Sequence, residues 1–205
     1  MKYKNVVFDV DGTLINSEQM ILKSLQKALL EEGIKKTTND LKFVLGIPGK
    51  IALSRLLIKN SVVIGEKWNE YMSDFSNETT IFSGIIEVLD TLQSNGIKLG
   101  IITSKTKKEY EDDFMKFNLH KYFDLVICAD DTKKHKPDGE PMEKYLKIMN
   151  IKKEDTIYIG DSVYDMQCAK NAEVDFALAL WGAYEADKID SIYKLENPKD
   201  ILNIL

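Results

Sequence analysis

The chain has 205 residues, a formal net charge of −5 at pH 7 and a sequence pI of about 5.2. This length supports one α/β core with a smaller second lobe and excludes two large domains. The acidic balance argues against general nucleic-acid binding, and no apolar run approaches the length of a membrane-spanning helix. We therefore expect neither nucleic acid nor a membrane as a partner.

The basic residues and the cysteines narrow the class of protein further. Arg55 is the only arginine among 28 basic residues, so phosphate recognition must depend mainly on lysines, hydroxyls, backbone amides or a metal. Cys128 and Cys168 lie far apart in apolar surroundings, which is typical of buried thiols in a reducing compartment. The first strand follows the amino terminus closely and leaves no room for a signal peptide. We expect a cytoplasmic protein.

The first predicted element is a buried strand that ends in polar residues. Residues 6–8 are apolar and are followed by Asp9, Asp11, Gly12 and Thr13. Asp9 can act as a nucleophile and Asp11 as a proton donor, because two neighbouring carboxyls tend not to ionise together. Gly12 allows a sharp turn, and the Thr13 hydroxyl can hold an aspartate in place. The alternative is a strand followed by an Asp-Gly turn, which occurs in proteins of every function.

The next part of the chain carries helical signals. Apolar residues recur at helical spacing after Ser17, after Thr37, over 51–58 and over 62–75. Glycine and proline interrupt this pattern at 46–49. These signals predict an all-helical insert over residues 16–81.

From residue 82 onward, helical and strand patterns alternate. We predict strands over 97–103, 123–128, 156–160 and 174–180, and helices over 85–92, 105–117, 141–149 and 163–172. Short connections between such elements favour a parallel sheet covered on both faces. The predicted fold is therefore α/β: a Rossmann-like three-layer core with a parallel sheet, formed by residues 1–15 and 82–205, and a small all-helical domain formed by residues 16–81.

Polar residues occur at or beyond the ends of several predicted strands, where open α/β sheets bind their ligands. They are Asp9-Val10-Asp11-Gly12-Thr13, Thr103, Lys136-Pro137 and Gly160-Asp161-Ser162-Val163-Tyr164-Asp165. Their order resembles the motifs of the haloacid dehalogenase-like hydrolase superfamily: Asp-x-Asp-x-Thr, a Thr or Ser, a Lys often followed by Pro, and Gly-Asp with a second Asp four residues later. The resemblance covers nearly the whole chain, and the first and fourth motifs together are its specific part.

The resemblance implies a chemical role for each motif. Asp9 would attack phosphorus, and Asp11 would serve as general acid and base. Thr103 and Ser104 would bind phosphate oxygens, together with free amides of the helix that follows. Lys136 would neutralise the nucleophile and the transferring phosphoryl group. Taken alone, Thr103 and Ser104 would favour an ordinary helix cap, and Lys136 a solvated run of charges.

The resemblance also implies a magnesium ion. Asp9, Asp161 and the main-chain carbonyl of Asp11 would bind Mg²⁺, since oxygen atoms are the ligands that this ion prefers. Thr13 and Asp165 would support these ligands, with direct ligation by Asp165 left open. The alternative for Asp161 and Asp165 is a pair of acidic residues that stabilise the start of a helix.

By the same resemblance, residues 16–81 would form a cap that covers the active site and opens to admit substrate. Gly46 and Lys50, in the glycine-containing loop, and Arg55 are the candidates for substrate recognition. A plain turn between helices and solvated side chains are the alternative.

One departure from the resembling family concerns the end of a helix. Asn171-Ala172-Glu173 carries glutamate where relatives often have glycine. Either this helix ends differently, or Glu173 adopts a strained backbone conformation.

The resemblance implies an Mg²⁺-dependent phosphatase acting on a small phosphorylated metabolite through an aspartyl-phosphate intermediate. The helical insert and Leu180-Trp181-Gly182 resemble phosphoglycolate phosphatases and pyrophosphatases, while sugar phosphates and nucleotides stay open as substrates. A phosphomutase of the beta-phosphoglucomutase type is the enzymatic alternative. A non-catalytic binding or regulatory module on the same fold is the alternative of another class. The sequence does not decide between a monomer and a dimer.

Overall fold

A computed structural model describes residues 2–58 and 60–205 of the chain. Met1, in the predicted core, and Lys59, in the predicted insert, lie outside the described residues. Within the described residues the strands are β1 (Asn5–Phe8), β2 (Ile15–Asn16), β3 (Thr80–Ile81), β4 (Lys98–Ile102), β5 (Leu125–Ile127), β6 (Thr156–Gly160), β7 (Asp175–Ala179) and β8 (Tyr193–Leu195).

The α-helices are α1 (Glu18–Glu31), α2 (Thr38–Leu41), α3 (Gly49–Arg55), α4 (Ser61–Met72), α5 (Ile85–Ser94), α6 (Lys107–Phe114), α7 (Glu140–Met149) and α8 (Val163–Asn171). Short 3₁₀ helices extend or connect them, and the longest are Ser73–Glu78 and Pro198–Asn203. Among the described helices, none combines the length and the apolar character that crossing a membrane requires.

The core is a parallel sheet of six strands in the order β5-β4-β1-β6-β7-β8. β1 lies in its interior, and Val6, Val7 and Phe8 are fully buried. One apolar cluster covers one face with residues of α5 and α6, and a second covers the other face with residues of α7 and α8. The predicted α/β fold with a three-layer, Rossmann-like core is thereby confirmed.

The register of the sheet places the polar strand ends together. Phe8 pairs with Ile101 of β4 on one side and with Ile159 of β6 on the other. Asp9, Thr103 and Asp161 each follow these paired positions by one or two residues. They therefore meet at one edge of the sheet, as the parallel arrangement predicts.

The helices α1 to α4 lie between β2 and β3, which pair with each other in antiparallel fashion. Leu25, Leu29, Leu41, Leu53 and Trp68 belong to an apolar cluster formed by this segment alone. The sequence analysis predicts helices throughout residues 16–81 and does not predict the β2–β3 pair, because a strand of two residues carries no alternating pattern. The division of the chain into a core and a cap domain stays a prediction.

Candidate active site

Lys136 lies beside Asp9 at the centre of the sheet edge. The Lys136 Nζ atom lies 2.6 Å from Asp9 Oδ1 and 2.7 Å from Asp165 Oδ1. Lys136 and Asp9 are 5% and 6% exposed, and Asp165 is fully buried. Burial lowers the pKa of Lys136, but the carboxylates of Asp165 and Asp9 outweigh this effect and raise the pKa above its ordinary value. Lys136 therefore carries a positive charge within the site.

The hydroxyl of Tyr158, on β6, belongs to the same network. It accepts a hydrogen bond from Lys136 Nζ at 3.2 Å and lies 2.9 Å from Asp165 Oδ1 and 3.0 Å from the carbonyl oxygen of Ile102. The sequence analysis missed Tyr158, because it treated residues 156–160 as an apolar strand. A signal was present: a buried tyrosine hydroxyl usually needs a polar partner.

Three buried carboxylates lie close to one another in this part of the site. Asp9, Asp161 and Asp165 each offer an oxygen atom, and these atoms all lie within 4.8 Å of one another. Burial raises the pKa of Asp9 to about 7 against the opposing charge of Lys136. Burial and the charges of Asp165 and Asp9 raise the pKa of Asp161 well above its ordinary value. Buried oxygen ligands that repel one another in this way fit a hard divalent cation, which would relieve the repulsion.

The turn after β1 packs directly against Asp161. The Thr13 hydroxyl donates to Asp161 Oδ1 at 3.3 Å, as the sequence analysis expects of a hydroxyl that holds an aspartate. Gly12 has a φ of +85°, and a Cβ atom there would collide with the Asp161 carboxylate. Trp181 donates from Nε1 to the carbonyl oxygen of Thr13 at 3.0 Å. The turn thus requires a glycine for both its conformation and its close approach.

Asp11 faces a second buried lysine, which the sequence analysis missed. Lys105 is 8% exposed, and its Nζ atom lies 3.3 Å from Asp11 Oδ2 and 2.6 Å from Asp113 Oδ2. Burial lowers the pKa of Lys105, but Asp11 and Asp113 outweigh this and raise it overall. The available signal was a lysine at the predicted start of a helix, where the helix dipole disfavours a cation.

The phosphate-binding candidates Thr103 and Ser104 lie next to these groups, but the following helix differs from the prediction. α6 begins at Lys107, and Thr106 forms its capping box with Glu109. The amides of Thr106 and Lys107 donate to Glu109 and Asp130, at 2.8 and 3.0 Å. These two amides are therefore bonded within the protein. The role of Thr103 and Ser104 in phosphate binding stays a prediction.

A cavity of about 150 Å³ lies between these groups and the helical insert. Its core side is lined by Asp9, Asp11, Thr103, Ser104, Lys105, Glu109, Lys136, Ser162 and Asp165. Its insert side is lined by Ile21, Val44, Gly46, Ile47, Pro48, Gly49, Trp68, Asn69 and Met72. Most of the predicted site residues of the core thus share one cavity with the helical insert, whereas Thr13 and Asp161 are not among the residues that line it.

The three residues of the insert that were predicted to recognise substrate occupy different positions relative to this cavity. Gly46 lines the cavity with a φ of +70°, and a Cβ atom there would lie 2.5 Å from Cβ of Ser162. Lys50 is exposed and is not among the residues that line the cavity. Arg55 lies outside it as well, where Nη2 donates to the hydroxyl of Tyr164 at 3.3 Å. Of the three, the structure brings only Gly46 to the described cavity.

Comparison with known proteins shows which family the chain matches. A family model described as haloacid dehalogenase-like hydrolase matches residues 6–179. The chain is 32% identical to the pyrophosphatase PpaX of Halalkalibacterium halodurans over 212 residues, covering 100% of this chain and 98% of that protein. It is 30% identical to a phosphoglycolate phosphatase of Aquifex aeolicus, covering 98% of this chain and 95% of that protein.

A solved structure agrees with these relatives. A Lactobacillus plantarum protein provisionally assigned as a phosphoglycolate phosphatase superposes with a TM-score of 0.92 at 30% identity, and the match covers 100% of both chains. The similarity extends over the full length of the chain and includes the helical insert.

Proposed function

Because the chain belongs to the haloacid dehalogenase-like hydrolases, we propose that it is an Mg²⁺-dependent phosphatase that hydrolyses a small phosphorylated metabolite through an aspartyl-phosphate intermediate. The observation that carries this proposal is the buried Asp9 carboxylate, which faces the cavity between Lys136 and the hydroxyls of Thr103 and Ser104. A nucleophile, a fixed cation and hydroxyl donors in one cavity are what phosphoryl transfer needs.

In the first step an oxygen of Asp9 attacks phosphorus and the bond from phosphorus to the leaving oxygen breaks. Asp11 donates its proton to that leaving oxygen. Asp11 Oδ1 is buried and lacks a hydrogen-bond partner among the described residues, which leaves it available for this transfer.

In the second step Asp11 takes a proton from water, and the resulting hydroxide attacks the phosphorus of the aspartyl phosphate. The bond between phosphorus and Asp9 breaks and inorganic phosphate leaves. Lys136, 2.6 Å from Asp9, offsets negative charge in both steps, and Thr103 and Ser104 hold phosphate oxygens.

The residues of the acidic cluster fit a magnesium ion. Asp9 and Asp161, with the main-chain carbonyl of Asp11, would hold it, and Thr13 would fix Asp161 through the 3.3 Å hydrogen bond. Asp165 would position Lys136 and would not bind the ion itself. Its Oδ1 atom contacts Lys136, and its Oδ2 atom accepts a hydrogen bond from the amide of Ser162 at 3.0 Å. When bound, the ion would polarise the phosphoryl group and offset its charge.

The substrate would be small. The relatives carry the names pyrophosphatase and phosphoglycolate phosphatase, and a cavity of about 150 Å³ is below the range of about 300–1,000 Å³ that is typical of sites for larger ligands. Arg55, the only arginine in the sequence, lies outside this cavity, so the cationic side chains that can bind an anion there are lysines. Residues 16–81 would act as the cap, and residues 1–15 and 82–205 as the catalytic core. A cytoplasmic location remains a prediction.

The test is phosphate release from pyrophosphate, phosphoglycolate, small sugar phosphates and nucleotides, with Mg²⁺ or with a chelator. Asp9→Asn serves as the blank, because it keeps the shape of the side chain but removes the nucleophile. We expect metal-dependent release by the wild type, a loss of at least about 10³-fold in the variant, and an unchanged circular dichroism spectrum. Full activity of Asp9→Asn would refute the role of Asp9, and no release from any compound would refute the phosphatase.

A further inference from the structure

We propose that Lys105 binds a negative charge on the leaving group, so that the enzyme prefers compounds whose phosphoryl group is attached to a second anionic group, such as another phosphate or a carboxylate. This inference rests on the proposed function. It adds a specificity-determining residue and a chemical class of substrate.

The first support is the burial of an incompletely bonded ammonium group. Lys105 is 8% exposed, and within the described residues its Nζ atom makes one hydrogen bond, to Asp113 at 2.6 Å. An ammonium group has three donors. Asp11 Oδ2 lies 3.3 Å from this Nζ atom, and Lys105 is one of the residues that line the cavity. Burying a cation with unfilled donors is costly unless a ligand completes its bonding.

The second support is the position of Lys105 relative to the proposed acid. If Asp11 protonates the leaving oxygen, that oxygen must come within about 3 Å of the Asp11 carboxyl. Lys105 Nζ lies 3.3 Å from the same carboxyl. The leaving group therefore has to lie close to the Lys105 ammonium, whereas the transferring phosphoryl group lies at Asp9 and Lys136.

The third support is the charge of the rest of the cavity. Lys105 and Lys136 are the only cationic side chains among the described residues that line it. Each of these lysines contacts two aspartates, Lys136 through Asp9 and Asp165 and Lys105 through Asp11 and Asp113. They differ in position, because Lys136 lies at the proposed nucleophile and Lys105 lies at the proposed acid. The wall formed by the helical insert offers Ile47, Pro48, Trp68 and Met72, which are apolar or aromatic. Glu109 also lines the cavity and adds a negative charge near Lys105. Lys105 is therefore the side chain that would supply the counter-charge to an anionic leaving group.

The test compares substrates whose leaving groups differ in charge, and phosphoglycolate with its carboxamide is the most closely matched pair. Phosphoglycolate and pyrophosphate represent charged leaving groups, while the carboxamide of phosphoglycolate and ethyl phosphate represent neutral ones. We expect Lys105→Met to lower kcat/KM about 10- to 100-fold for the substrates with charged leaving groups. For the substrates with neutral leaving groups, we expect kcat/KM to fall less than about 3-fold. The matched control is Lys107→Met, which removes an exposed lysine two residues further along the chain that pairs with Asp131. This variant should leave both values unchanged.

A second variant covers the case in which Lys105→Met fails to fold because Asp113 is left unpaired. The double variant Lys105→Met/Asp113→Asn removes both charges together and should show the same loss of selectivity. An equal loss with charged and neutral leaving groups would assign Lys105 a purely structural role and overturn the inference while leaving the phosphatase intact. Turnover of neutral leaving groups alone by the wild type would overturn it too. Absence of any turnover by the wild type would refute the proposed function itself.

Discussion

Replacing Tyr158 by phenylalanine removes one hydroxyl from the centre of the candidate site and keeps the buried ring. The hydroxyl contacts Lys136 Nζ, Asp165 Oδ1 and the Ile102 carbonyl at 3.2, 2.9 and 3.0 Å. A hydrogen bond to a charged group contributes about 1.5–3 kcal/mol. We therefore expect the free energy of unfolding to fall by about 2 kcal/mol, which corresponds to a decrease in Tm of about 4–8 °C for a domain of this size.

The same substitution should lower kcat about 10-fold with little change in KM, because it loosens Lys136 at the reacting group and leaves the rest of the cavity in place. Such a loss corresponds to about 1.4 kcal/mol of transition-state stabilisation. The assay is steady-state phosphate release together with thermal unfolding.

Tyr145→Phe is the matched control for this substitution. Tyr145 is also fully buried, and its hydroxyl donates to Asn5 Oδ1 at 2.9 Å, away from the cavity. Loss of this neutral hydrogen bond should cost about 1 kcal/mol of stability and leave kcat unchanged. If both variants retained wild-type kcat, the view that Tyr158 positions Lys136 would be refuted.

Three further substitutions test other parts of the structure. Asp161→Asn should raise the Mg²⁺ concentration needed for half-maximal activity at least about 10-fold and reduce the thermal stabilisation by Mg²⁺; an unchanged stabilisation would contradict ligation by Asp161. Gly46→Ala should lower kcat/KM, because the added Cβ would lie 2.5 Å from Cβ of Ser162; wild-type kinetics would show that this loop is not part of the site. At Glu173, where φ is +55°, glycine should be more stable than alanine by about 1 kcal/mol in chemical unfolding, and equal stabilities would argue against backbone strain there.

The sequence predicts the fold and the position of the site because both depend on local signals. Alternating helix and strand patterns favour a parallel sheet, and the sheet then brings the strand ends at Asp9, Thr103 and Asp161 to one edge. The sequence also indicates that the helix before Glu173 either ends differently from its relatives or strains the backbone at Glu173. The structure has the strained conformation, with a φ of +55° at Glu173.

The parts that the sequence analysis missed depend mostly on contacts between distant segments. β8 has three residues and is recognised by its pairing with β7, which no periodicity in three residues can reveal. Lys105 and Tyr158 acquire their significance from Asp11 and Lys136, which are far away in sequence. The start of α6 is different, since Thr106 and Glu109 have the spacing of a capping box and the sequence therefore contained that signal.

The two lysines of the site are held in corresponding ways. Lys136 lies between Asp9 and Asp165, which belongs to α8, whereas Lys105 lies between Asp11 and Asp113, which belongs to α6. Each aspartate of the first motif is thus paired with a lysine that is itself fixed by a helical aspartate.

The two helices pack on opposite faces of the sheet, and this arrangement separates the environments of the two first-motif aspartates. Tyr110 and Phe114 of α6 belong to one apolar cluster, and Cys168 and Ala169 of α8 belong to the other. Asp9 is consequently held in the buried carboxylate cluster, while Asp11, with a side chain that is 24% exposed, faces the cavity beside Lys105. The opposing helices thus give different surroundings to two carboxylates that are only two residues apart.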